Sequence, residues 1–86
     1  MNKASDLATR LILANTVRQL RLIRHWSQEL LGFEAGVDRT FISHVERGAR
    51  NISIDNIERL AKALSVHSYQ LLMPFDDAEA NRLHSE

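Results

Sequence analysis

The chain contains no cysteine, one proline and three glycines, and aromatic residues fill only 6% of its 86 positions. Without cysteine there is neither a disulfide framework nor a thiolate metal site, as expected for a reducing compartment. With so little glycine there is no loop to cradle a phosphate. The four histidines, at 25, 44, 67 and 84, form no HxxxH or HExxH pair, which removes the local signal for zinc. No apolar run approaches the ~18 residues of a membrane span. The nearest thing to a secretory core, "LILA" at 11–14, is bracketed by Arg10 and Asn15. We therefore expect a soluble, cytoplasmic chain with no metal or other cofactor. Net charge is zero, so the bulk balance announces no polyanionic partner. The distribution is less even: residues 1–50 carry eight Lys/Arg against five Asp/Glu, and residues 51–86 carry three against six. Phosphate responds to the local field rather than to the total, so the basic half is the half to inspect.

What is present is helical periodicity. Apolar residues make up 44% of the chain, mostly Leu and Ile, and no alternating strand pattern occurs. Helix 1 is expected after Ser5 or Asp6, either a good N-cap, and runs to about Arg24 with Leu13, Val17 and Leu20 inward. Helix 2 starts at the N-cap Ser27 and ends at Gly36, a residue free to take positive φ. Helix 3 starts at the N-cap Asp38 and stops near Arg47–Gly48. Helix 4 is capped by Ser53, with Ile54, Ile57, Leu60, Ala61 and Leu64 inward. Helix 5 is a short piece from His67 or Ser68 to Met73, stopped by Pro74. The spacing thus predicts an all-α, compact five-helix domain over residues 1–75. An acidic tail follows at 76–86, frayed or folded into one weak turn, in which Asp76 and Asp77 cap or solvate rather than act as an acid–base pair.

Helices 2 and 3 are joined by only "GVD", and so short a connection forces a near-perpendicular crossing, the helix-turn-helix geometry. That crossing makes demands at fixed offsets. Small residues are needed where the helices touch, and Gly32 and Ala35 supply them. Left-handed φ is needed in the turn, and Gly36 tolerates it. Val37 caps an apolar wedge filled by Leu31, Ile42 and Val45. At ~100° per residue, with Ile42 at zero, Val45 lies about 60° to one side and Glu46 about 40° to the other, whereas Ser43, Arg47, Thr40 and His44 fall at roughly 100°, 140°, 160° and 200°. The outward face of helix 3 is therefore short hydroxyls, one imidazole and a guanidinium, with Arg39 in its first turn. A solvated surface helix could carry the same residues, but the wedge behind them favours a face that reads a partner.

From Leu13 to Leu72 the sequence resembles the Cro/CI-type (XRE-like) helix-turn-helix regulators, with a lambda-repressor-like fold. The stretches that carry the likeness are "VRQLR", "WSQELLGFEAGV", "RTFISHVERG" and "IERLAKALSV". The run "VDRTFISHVERGARNISI" is similar in particular to the controller proteins of restriction–modification systems. The resemblance implies that the start of helix 3 enters the major groove of double-stranded DNA. Arg39 is then the candidate for bidentate bonding to guanine O6 and N7. Thr40 would contact a thymine methyl or a phosphate, and Ser43 and His44 would reach base edges. Phe41 would flank the readers and Arg47 would touch the backbone. Phosphates are expected at Ser27 and Gln28, which open helix 2, and at Arg50, Asn51 and Ser53, which open helix 4.

Glu46 lies near the core and needs a cation to stay ionised. Arg21 and Arg24 both flank the inward stripe of helix 1, and the resemblance selects Arg21. His25 and Ser65 stand where the family usually has glycine, and Leu22, Ile23 and Phe33 where charged residues are more usual. One domain of this size offers one recognition helix, so specific affinity is expected to need a homodimer. The dimer surface is expected at Tyr69, Leu72, Met73 and Phe75, with Leu7 and Leu11 of the long first helix as the second choice. Controller proteins of this type activate and repress their own operon, which makes RNA polymerase a further partner and Glu29 and Glu34 its candidate contacts. A phage-type repressor or an antitoxin would share the fold, as would a helical protein–protein adaptor. Ser43 and His44, adjacent on a helix, diverge by ~100° and are no nucleophile–base pair. No enzyme is expected.

Overall fold

The computed structural model describes residues 3–49 and 51–75, with side chains from Thr9 onward. Four α-helices follow in order: α1 (Lys3–Ile23), α2 (Gln28–Ala35), α3 (Arg39–Glu46) and α4 (Ile54–Leu64). A 3₁₀ helix, Ser68–Leu72, closes the described chain. The expected fifth α-helix is thus a 3₁₀ turn. Pro74 keeps the residue before it extended, and Met73 sits at φ −107°, ψ 146°, which leaves too few residues for α-helical bonding. α1 already runs at Lys3, before the expected caps Ser5 and Asp6. Cap preference is a weak signal where residues upstream can also turn helically.

The core lies where the four α-helices and the 3₁₀ helix converge, and Val17, Leu31, Ile42, Leu60, Leu64 and Leu71 are completely buried in it. Ile54 is a correction to the sequence reading. It is 74% exposed, because as the first residue of α4 it lies about 120° from Leu60 and beyond the edge of the core. Thr16, buried on α1, donates its hydroxyl to the carbonyl of Met73 at 2.8 Å and so ties the end of the 3₁₀ helix to α1. Arg24 donates to the carbonyl of Leu64 at the end of α4 and lies 5.7 Å over the Trp26 ring. Partial burial draws its pKa below the usual guanidinium range.

His25 and Ser65 both adopt left-handed backbone, at φ 59° and 60°, with Ser65 as the C-cap of α4. A side-chain-bearing residue there costs about 1–2 kcal/mol, offset in part by the freedom a glycine loses on folding. Ser65→Gly is therefore expected to stabilise the fold by about 1 kcal/mol, raising Tm by roughly 4–8 °C. Thermal melts at fixed protein concentration check this, and an unchanged or lower Tm would show that the serine is not strained. Among the described residues, no helix is long and apolar enough to cross a membrane.

Candidate nucleic-acid interface

The elbow between α2 and α3 follows from two glycines. Gly36 is the left-handed C-cap of α2 at φ 73°, and the guanidinium of Arg59 on α4 donates to its carbonyl at 3.3 Å. At Gly32 the backbone of the following turn approaches so closely that a Cβ would lie 2.7 Å from the carbonyl oxygen of Val37. Gly32→Ala is accordingly expected to cost about 1–3 kcal/mol, since the obstacle is backbone that cannot rotate away. Chemical denaturation with an unchanged m-value measures the loss, and full retention of stability would mean that the elbow opens freely. Asp38 takes the N-cap position of α3 with extended backbone, although its carboxylate makes no cap hydrogen bond.

Behind the elbow, Ile42 and Val45 are buried. In front, Arg39, Thr40 and Arg47 are exposed, with Ser43 and His44 half-buried between them. Phe41 is half-buried and packs against the core, so it braces the helix more than it flanks it. At ~1.5 Å rise per residue, Arg39 and Ser43 lie one turn apart. Together these groups form one polar face of the helix, with a cation at each end.

Glu46 ends α3 with its carboxylate turned inward. Arg21 grips it with two bonds, Nε to Oε2 at 2.7 Å and Nη2 to Oε1 at 2.9 Å. Its remaining Nη1 donates to the carbonyl of Trp26 at 2.8 Å. Arg21 is thus the partner, and Arg24 turns to α4. Gln28 joins the same cluster: its Nε2 donates to Glu46 Oε1 at 3.1 Å. The amide expected to face a phosphate thus spends one N–H on the end of α3. A bond between residues eighteen positions apart leaves no trace in local spacing.

Ser27 caps α2, its hydroxyl accepting from the amide of Leu30 at 3.0 Å. Ser53 caps α4 in the same way from Asn56 at 3.1 Å. Asn51 is exposed and accepts from the guanidinium of Arg10. Arg50 lies outside the described residues. Arg10 was not among the candidates, although its position seven residues before Val17, about 20° round the helix, places it toward this loop. Of the proposed dimer surface, Tyr69, Leu72 and Met73 are exposed and Phe75 packs against the core. Leu11, Leu22 and Phe33 are exposed too, whereas Ile23 packs on the core. The side chain of Leu7 and the 76–86 tail lie outside the described residues. Among the described residues, no three of His, Asp and Glu gather as a metal-binding group.

A helix-turn-helix family model matches residues 17–71. A hypothetical transcription factor from Neisseria meningitidis is 49% identical over 65 residues, 76% of this chain and 61% of that protein. The chain therefore spans less than two thirds of that relative. Control protein C.BamHI from Bacillus amyloliquefaciens is 52% identical over 64 residues, 73% of this chain and 79% of its own length. Among solved structures, the Neisseria factor superposes with a TM-score of 0.75 at 44% identity, covering 91% of this chain and 85% of the other. The restriction–modification controller protein C.AhdI from Aeromonas hydrophila gives 0.71 at 41% identity, covering 74% and 97%. The controller C.Esp1396I, seen as a tetramer on its natural 35-base-pair operator, gives 0.68 at 24% identity, covering 91% and 96%, a likeness of fold alone.

Proposed function

We infer that this chain, which belongs to the helix-turn-helix family of transcription regulators and is homologous to the restriction–modification control proteins, binds an operator as a homodimer and regulates its own operon. The observation that carries the reading is the polar ridge of α3, held outward by an elbow in which any side chain at position 32 would press on backbone. Arg39, Thr40, Ser43 and His44 read base edges in the major groove. Ser27, Arg47, Arg50, Asn51 and Ser53 contact the backbone and set register without reading sequence. Gln28, held against Glu46 by one amide N–H, keeps a second N–H for a phosphate, and Phe41 supports the readers from behind.

Two copies join through Tyr69, Leu72 and Met73, with Phe75 at the margin of the contact, and place their α3 helices in half-sites one helical turn, ~34 Å, apart. Residues 1–75 form the unit that does this. The exposed carboxylates Glu29 and Glu34 on α2 face RNA polymerase when the output is activation. Such a protein works in the cytoplasm, where its operator lies. The proteins it resembles are regulators, and no enzymatic role is assigned.

Footprinting on DNA upstream of the gene, together with sedimentation equilibrium, tests the proposal. The expected result is a dimer protecting paired half-sites. A lone subunit at every concentration with no preference for any duplex overturns it and leaves the protein–protein adaptor as the better reading.

A further inference from the structure

Arg10 and Leu11 of α1 lie ahead of the family-matched segment, which begins at residue 17, and they lean on the loop that follows α3. Gly48 in that loop is left-handed at φ 68°, and a Cβ on it would lie 3.5 Å from Leu11 Cδ2 and 3.9 Å from the carbonyl of Arg10. The contact puts the Arg10 guanidinium beside the loop, where it donates to Asn51 Oδ1. Both residues are exposed. That bond uses one of the five guanidinium N–H groups and fixes the direction of the rest. Asn51 stands two residues before the Ser53 cap, on the segment that runs from the exposed Arg47 to α4. A planar fork pinned at the edge of such a segment has the geometry for a phosphate oxygen pair.

We propose that Arg10 is a DNA-backbone contact supplied by the α1 extension, with Asn51, a backbone contact in the reading above, also acting as its positioning residue. This rests on the operator-binding reading above. Arg10 adds one cation per subunit to the phosphate-facing edge of a chain whose total charge is zero, so its effect must register in the salt dependence of binding. Each neutralised phosphate contributes about 0.9 to the slope of log K against log salt.

Full-length protein is titrated against its operator and against a random duplex, between 50 and 200 mM salt. Arg10→Ala is expected to lower the slope by about 1.8 for the dimer, and equally on both duplexes. The wild-type advantage therefore shrinks about tenfold across that range. Arg10→Gln, whose amide can still reach Asn51, is expected to show the same loss, and Arg10→Lys to restore most of the slope. Asn51→Ala keeps the slope partly but weakens binding. An Arg10→Ala slope equal to wild type, with or without a change in Tm, overturns the proposal and makes the bond a purely structural tie. A wild-type protein that ignores both duplexes overturns the operator reading itself, and this proposal with it. Binding with an unchanged slope overturns only this proposal.

Discussion

Replacing Arg39 with alanine is expected to weaken operator binding by about 1–3 kcal/mol per half-site, and by about twice that for a dimer that uses the residue on each side. The reason is geometric. Arg39 opens α3 and is exposed, so its planar fork is available to a guanine edge, and no other side chain in the first turn of the ridge can make two parallel bonds there. Because the residue lies outside the core, stability should move by less than about 0.5 kcal/mol. Arg39→Lys, which keeps the charge but not the fork, is expected to recover non-specific affinity and little specificity. Competition between operator and random duplex separates the two. If Arg39→Ala retains the wild-type preference, another residue reads the sequence and the assignment of the ridge fails.

Glu46→Ala acts on folding instead, with an expected loss of about 3–5 kcal/mol. The Glu46 and Arg21 side chains are only 4% and 10% exposed. Removing the carboxylate strands a desolvated guanidinium and takes the acceptor from the Gln28 amide at the same time. Against a typical stability of about 5–15 kcal/mol, that removes a large share of what keeps a small domain folded. Substituting both partners, as in Arg21→Met with Glu46→Leu, is expected to cost much less than either single change, since apolar residues of similar volume need no compensating charge. Denaturant melts of the four proteins form a double-mutant cycle. Additive losses would mean that the pair is solvated and contributes little.

The elbow was legible in the sequence because its demands are local and steric. Gly32, Gly36, Ile42 and Val45 fall at offsets that only one crossing geometry satisfies. The ion-pair partner of Glu46 needed the resemblance, since periodicity left Arg21 and Arg24 equally placed. Ile54 departs from the sequence expectation because, at the first helical position, it falls just outside the angular span of the inward stripe, where no core lies to cover it. The 3₁₀ helix was misread as α-helical because apolar spacing over five residues cannot distinguish the two, and the restriction imposed by Pro74 decided between them. Gln28 and Arg10 escaped for a shared reason. Their partners, Glu46 and Asn51, lie 18 and 41 positions away, and no window along the chain contains both ends of either bond.

The Arg21 cluster has a kinetic consequence. One guanidinium joins α1, the turn at Trp26 and the last residue of α3, while Gln28 secures the first residue of α2 to the same carboxylate. The two helices that the proposed function sets against a duplex are thus a finished unit, and docking need not order them. Encounter is then governed by collision and orientation. A molecule without net charge gains little long-range pull toward a polyanion, so arrival rates belong in the ordinary range of about 10⁵–10⁷ M⁻¹s⁻¹, and differences in grip between operators are expressed in how long each complex lasts.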